Sequence, residues 1–216
     1  MKRFAPIAGC ALAFLIALWV LQKANKDVLA DEGYDAEIVM NEISSQHTGD
    51  VYYCIPCLPI DDFVPMRADE LCDYYGINIF PPFIPDGLNL SNDNSVGFGI
   101  YKNIIGIKED VEKSAVYWDQ NAIIYGGDEQ RYLRVTVAKK YLLTGPNFAV
   151  GGLEGEKSAI HGNEVLMGHC VDENGGDIYY AKWVYRDVQF LVTGRNVSES
   201  EFIKTVASIF ASGRDC

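Results

Sequence analysis

The residues able to do chemistry in this 216-residue chain are few and unevenly spaced. Cys54-Ile55-Pro56-Cys57 sets two thiols at redox-motif spacing, with proline before the second. Such a pair catalyses thiol–disulfide exchange when the first thiolate sits at a helix N-terminus, where the dipole and free amides lower its pKa. Pro59 follows Cys57 by two residues, removes a helical donor and clashes with the preceding turn, so that helix is disfavoured. A structural disulfide is the preferred reading, with Cys54, Cys57, Cys72 and Cys170 as candidates. The alternative is an extracytoplasmic thiol-disulfide oxidoreductase using Cys54 and Cys57. A zinc site built on Cys54, Cys57, Cys72 and a histidine lacks a second Cys-x-x-Cys or a His-x-x-x-His, so no metal is expected. Cys216 closes the chain and is the expected leftover thiol, because the cysteines after Cys10 are odd in number.

Histidines give no triad. His47 has no patterned neighbour, and His161 lies in Ile160-His161-Gly162-Asn163, which reads as a turn. His169 adjoins Cys170, but neighbours on a strand point to opposite faces, so the two form no dyad. A Gly-x-Ser-x-Gly elbow is missing. Gly151-Gly152-Leu153-Glu154-Gly155-Glu156 carries acids where phosphate would sit and leads into Lys157-Ser158 without a helix, so it reads as a loop rather than a phosphate cradle. Asp128-Glu129 and Asp172-Glu173 lack the alternating oxygen spacing of a calcium loop. No catalytic residue and no cofactor are expected. Tyr117, Trp118, Tyr179, Tyr180, Trp183 and Tyr185 lie on predicted strands, where half of them turn toward the core and half are available to line a groove.

Charge narrows the partners. Thirty acids stand against 18 bases, for a net charge of −12. Lys2 and Arg3 precede the first apolar run, so the remainder is more acidic still. Phosphate backbones and anionic lipid are poor partners for such a body, because association adds repulsion instead of releasing counterions. The composition, 49% hydrophobic and 22% charged, excludes wholesale disorder.

Phe4 to Leu21 runs without a charge and ends at Gln22-Lys23. As a helix it reaches roughly 27 Å, close to a hydrocarbon core. An anchor with Lys2 and Arg3 in the cytoplasm fits best; cleavage after Val28-Leu29-Ala30 and a lipoprotein signal at Cys10 are the competing fates. Residues 1–30 are accordingly a signal peptide or membrane anchor. Residues 31–216 are one extracytoplasmic α+β domain, with a helical, proline-rich lead-in over 31–76 and a sheet plus C-terminal helix over 77–213.

The elements that must position these side chains follow from periodicity. Tyr34 to Ser45 reads as a short helix, Val51 to Pro65 as a loop, and Met66 to Tyr75 as a helix capped by Gly76. Pro85-Asp86-Gly87 closes an extended segment with a turn. Val96–Tyr101, Ala115–Trp118, Ala122–Tyr125, Tyr132–Ala138, Glu164–Val171, Ile178–Tyr185 and Val188–Val192 are β-rich, which predicts a meandering antiparallel sheet with a hairpin at Arg186-Asp187. Ser198-Glu199-Ser200-Glu201 is a capping box. It opens a helix whose stripe, Phe202, Ile203, Val206, Ile209 and Phe210, packs on the dry face of that sheet and ends at Gly213.

Phe80 to Leu88, Ile160 to Val165, and the ending from Tyr180-Ala181-Lys182-Trp183 to Phe202-Ile203 together resemble a family of extracytoplasmic bacterial domains of unknown function. These domains often follow the membrane helix of anti-sigma-factor-like proteins, and the resemblance covers about residues 77–210. It implies a sensing or binding ectodomain and carries over no catalytic residue. Only Met1-Lys2-Arg3 precede the apolar run here, too little to hold a sigma factor. The expected role is therefore noncatalytic binding of an envelope or secreted protein, or of a small ligand. Envelope sensing and an immunity or inhibitor role toward a basic partner are its concrete forms. A reporter fused after Cys216 should be active outside the cytoplasm, and activity confined to the cytosol contradicts the topology.

Overall fold

The computed structural model describes residues 35–43, 63–91, 97–101, 119–126, 130–139 and 153–212. In chain order the elements are β1 (Ala36–Glu37), β2 (Met40–Glu42), β3 (Phe63–Met66), α1 (Ala68–Tyr75), β4 (Asn89–Leu90), β5 (Phe98–Tyr101), β6 (Asn121–Gly126), β7 (Tyr132–Ala138), β8 (Ser158–Ile160), β9 (Asn163–Val171), β10 (Asp177–Tyr185), β11 (Val188–Arg195) and α2 (Glu199–Ala211). Nine strands form a sheet in the order β1-β8-β9-β10-β11-β7-β6-β4, with β2 also paired to β9, while β3 and β5 form a separate ribbon. The layout is α+β and mainly antiparallel. Among the described residues no helix is long and apolar enough to cross a membrane, and the apolar leader lies outside them.

Turn chemistry fixes the meander. Arg186 and Asp187 both have positive φ, 48° and 64°, and join Tyr185 to its partner Val188 in a two-residue hairpin. His161 and Gly162 do the same between Ile160 and Asn163, at φ 48° and 74°. Two consecutive left-handed residues give a turn whose twist matches that of the strands it joins. Leu88 N–H donates to the Pro85 carbonyl at 3.1 Å, and Gly87 takes φ 81°, as the Pro-Asp-Gly turn requires.

The last helix forms where its sequence says. Ser198 Oγ accepts from the Glu201 amide at 3.2 Å, and Glu201 Oε2 accepts from the Ser198 amide at 2.9 Å. Its carboxylate also pairs with Arg131 at 3.1 Å, and Arg131 donates to the carbonyls of Asp86 and Asn196. One guanidinium thus ties together the helix start, the 85–88 turn and the approach to β7. Burial works against the Glu201 carboxylate, but the Ser198 hydrogen bonds and Arg131 outweigh it and hold its pKa below the ordinary value. The helix runs to Ala211 with Ser212 as its cap, and Gly213 lies outside the described residues.

The apolar stripe of α2 covers one face of the sheet. Phe202, Ile203, Val206 and Ile209 are buried against Leu133, Val135 and Val137 of β7, Tyr179, Ala181 and Trp183 of β10, and Val188, Phe190 and Val192 of β11. Aromatic contacts pin both ends. Tyr179 stacks on Phe202 at 5.5 Å, and Trp183, itself stacked flat on Phe190 at 4.7 Å, lies 5.2 Å from Phe210.

Three expectations need correction. The predicted helix over 34–45 is instead β1 and β2: apolar residues recur there at a spacing that also suits extended chain, and partners in β8 and β9 decide the matter. Met40, Asn41 and Glu42 pair parallel with Met167, Gly168 and His169, so the sheet is not purely antiparallel. Phe63–Met66 is a strand although the region reads as loop; Pro65 is tolerated because the β3–β5 ribbon is only two strands wide. Side chains stand in for backbone where residues 35–43 cross the sheet edge. The Ser158 hydroxyl accepts from the Val39 amide at 2.9 Å and donates to its carbonyl at 3.0 Å. The Asn41 amide brackets Glu156, accepting from its N–H at 3.2 Å and donating to its carbonyl at 2.9 Å. Gly168 leaves room for Ile43 and Leu153, whose methyl carbons would stand 2.7 Å from any added Cβ.

Phe202→Ala should cost about 3–5 kcal/mol, since it empties a fully buried site between α2 and β10. Leu90→Ala, at the exposed sheet edge, should change stability by less than about 0.5 kcal/mol. Urea denaturation of both variants checks that contrast.

Candidate functional site

Many of the side chains singled out in the sequence are dispersed or structural. Cys10, Cys54, Cys57, Cys216, His47, Tyr117, Trp118, Asp128 and Glu129 lie outside the described residues, as does the predicted strand 115–118. Cys72 and Cys170 belong to different apolar clusters, and no disulfide joins them. Cys72 Sγ donates to Asn78 Oδ1 at 3.7 Å. Cys170 is buried with Ile43 and Ile178, and burial, with Asp172 adding a smaller effect, pushes its thiol up, away from a reactive thiolate. His169 points to the opposite face, as strand alternation requires, with Nε2 2.9 Å from Asp177 Oδ1 and its ring 4.6 Å from Tyr179. His161 occupies the β8–β9 turn.

Asp172 organises the β9–β10 turn. Its Oδ1 accepts from the amides of Gly176 and Asn174, each at 2.8 Å, and Arg195 pairs with its other oxygen. The Gly176 amide first, against a smaller opposing effect of burial and with help from Asn174 and Arg195, holds the carboxyl below its ordinary pKa. A depressed carboxylate stabilises the fold above its unfolded pKa and loses that contribution as pH falls through the folded value. Among the described residues no three His, Cys, Asp or Glu side chains converge as a metal-ligand set.

A second polar cluster is buried between α1, β5, β6 and β7. Tyr75 donates to the Asp119 carbonyl, Tyr74 donates to Asp119 Oδ2 at 3.2 Å, and the Lys139 amide donates to the same oxygen at 3.1 Å. Asn121 accepts from the Gly99 amide and donates to the Gly99 carbonyl, both at 3.0 Å, so its side chain stitches the β3–β5 ribbon onto β6. Burial, then the Asp119 charge, raises both tyrosine hydroxyls and keeps them protonated donors. These hydrogen bonds fasten α1 and the β3–β5 ribbon to β6 and β7 as a structural clasp.

The face of the sheet turned away from α2 differs. Strand register places Lys182, Leu191, Thr136 and Ala122 in one row across β10, β11, β7 and β6. Tyr180, Thr193, Arg134 and Ile124 make the next row on one side, and Val184, Gln189 and Ala138 on the other. No carboxylate from these four strands points to this face, in a protein where acids outnumber bases 30 to 18. Lys182 is half-buried, and burial alone lowers its pKa; among the described residues no hydrogen bond or ion pair reaches its ammonium. Gln189, diagonal to it, is 1% exposed, and its carbonyl oxygen Oε1 has no hydrogen-bond partner. A buried amide left so costs about 1–3 kcal/mol. Leu191 and Thr136 form the floor between, and Val184 at the end of the face is 49% exposed.

No family model matches the chain, and neither the curated proteins nor the solved structures contain a significant match.

The site is therefore argued from its own side chains, and sequence reasoning picked out none of them by function. The available signal was Lys182 itself, a cation in the middle of the strand Ile178-Tyr179-Tyr180-Ala181-Lys182-Trp183-Val184. The arrangement sets a cation beside a hydrogen-bond acceptor. A lysine whose folded pKa lies below its unfolded one leaves the unfolded chain with more bound protons, so stability rises with pH through the window beneath the usual lysine value. Lys182→Met should abolish that slope and raise stability at neutral pH by about 0.5–1 kcal/mol. Denaturation midpoints measured from pH 7 to pH 10 test it.

Proposed function

We propose that the chain is a noncatalytic binding domain on the extracytoplasmic side of a bacterial membrane, anchored or exported through residues 1–30. Its binding surface is the face of the sheet turned away from α2, where Lys182 is half-buried and Val184 stands open. The observation that carries this reading is the unpaired, half-buried Lys182 ammonium beside the unsatisfied Gln189 carbonyl. A protein keeps such a costly arrangement where a ligand completes it. The charge-free leader supports the location, and the resemblance of residues 77–210 to extracytoplasmic domains of unknown function, which implies a sensing or binding ectodomain, supports the class.

Envelope sensing is the form this takes, and the partner is an envelope component or a small ligand. An immunity role toward a basic secreted protein would use the acidic remainder of the surface, with association that slows steeply as salt is added. Thiol-disulfide exchange at Cys54 and Cys57 gains no support from Cys170, whose thiol is buried and held protonated.

A photocrosslinking residue at position 184 in intact cells should trap a discrete product, because Val184 stands open on this face. The same residue at Leu90, 42% exposed at the far sheet edge, is the control. Indistinguishable products from the two positions would rule the face out.

A further inference from the structure

An immunity or inhibitor role toward a basic protein, on which this inference rests, needs a place where a cation is met by more than diffuse charge. On the side of the sheet that α2 covers, the helix packs over β7, β10 and β11 and begins at Glu199, and the ends of β2 and β9 stay open beside it. Register places Glu42, His169 and Tyr179 in one row there, with Val171 and Asp177 as the next pair. Val171 is 44% exposed, the Asp177 side chain 54%, and Glu42 is exposed, so the patch is reached from solvent. His169 Nε2 holds only Oδ1 of Asp177. Among the described residues no lysine or arginine pairs with Glu42 or Asp177. Tyr179 is the buried member, 8% exposed, with its ring packed against His169 at 4.6 Å and Phe202 at 5.5 Å. Among the described residues no hydrogen bond reaches its hydroxyl. Burial first, then the charges of Asp177 and Glu199, pushes that hydroxyl up to about 12, so it is aimed at the two carboxylates. Gly194 seats the helix start against the sheet, since an added Cβ would stand 2.8 Å from both Phe202 and Val197.

We propose that this patch docks an arginine-bearing segment of a basic protein, its guanidinium set between Asp177 and Glu199 and donating to the Tyr179 hydroxyl oxygen, its alkyl stem on Val171. A guanidinium carries five donors in a rigid fork and suits several acceptors held in fixed places, whereas an ammonium is a compact, strongly hydrated point charge. A metal ion is a poor alternative, because no three His, Cys, Asp or Glu side chains converge among the described residues. The stem of an arginine covers apolar surface while its head stays polar, which matches an exposed valine rimmed by acids. Tyr179 is locked in place by its ring contacts before anything binds, so its hydroxyl adds no ordering cost. The net charge of −12 accelerates the encounter and loses that effect in salt, while the contacts at the patch set how long the complex lasts.

The test is isothermal titration of the full chain in detergent with short blocked peptides of alternating arginine and alanine, lysine and alanine, and glutamine and alanine. The arginine peptide should bind at least about 3-fold tighter than the lysine peptide, and the glutamine peptide should not bind. Asp177→Asn should weaken arginine binding about 10-fold. Tyr179→Phe, which keeps the ring on Phe202 and removes only the hydroxyl, should weaken it about 3-fold. Asp73→Asn removes the same charge from an exposed position on α1 and should change it by less than about 2-fold. Equal losses in Asp177→Asn and Asp73→Asn overturn the proposal, as does a failure of the arginine peptide to bind. Binding that fades in salt yet ignores Asp177→Asn and Tyr179→Phe excludes this patch and leaves a basic partner standing. The crosslink at position 184 reports on the other face: a product there without peptide binding excludes the patch alone, and peptide binding without that product puts the binding surface here.

Discussion

The structure depends on the burial of alternate residues of β7, β9, β10 and β11 beneath α2. Each fully buried Val, Leu, Ile or Phe on that face is worth about 1.5–3 kcal/mol relative to exposure. Leu133, Val135, Val137, Phe190 and Val192 are all wholly inaccessible. Phe202 and Phe210, eight residues apart on the helix, reach the sheet near Tyr179 and near Trp183 respectively. Because the side-chain period along a strand is two, committing these residues inward leaves the intervening ones no choice but the other face. Lys182 lies opposite α2 because Ala181 and Trp183 lie under it.

That division explains how Lys182 and Arg134 come to share a face that no carboxylate of β6, β7, β10 or β11 joins. The burial of one face supplies the stability, so the second can carry groups that cost some. The same logic separates the two polar clusters. Around Asp119 the hydrogen bonds fasten α1 and the β3–β5 ribbon to the sheet. Around Lys182 the counterparts are missing.

The first described segment is bound to the sheet by a different device. Val39 and Glu156 are matched by the side chains of Ser158 and Asn41, which copy the donor and acceptor pattern of a strand where backbone spacing does not allow true pairing.

Much of the architecture was legible locally. Tyr132–Ala138 alternates, Arg186-Asp187 and His161-Gly162 signal turns, Gly76 caps α1, and Ser198 with Glu201 announces α2; each signal lies within a few residues of the feature it specifies. Residues 36–42 escaped because their pairing partners lie more than 100 positions away, and an extended or helical conformation there is decided by those partners. The candidate site escaped for the same reason. Lys182 and Gln189 are close in sequence, yet that they share a face, that Gln189 is sealed from water, and that no acid joins them are properties of register across four strands. The sequence by itself determined the acidity, the charge-free leader, and the period of each long strand and of the last helix, because those are matters of composition and nearest neighbours. Only tertiary structure decided which side of the sheet the helix covers and which polar groups are left wanting, because burial and satisfaction depend on contacts between distant segments.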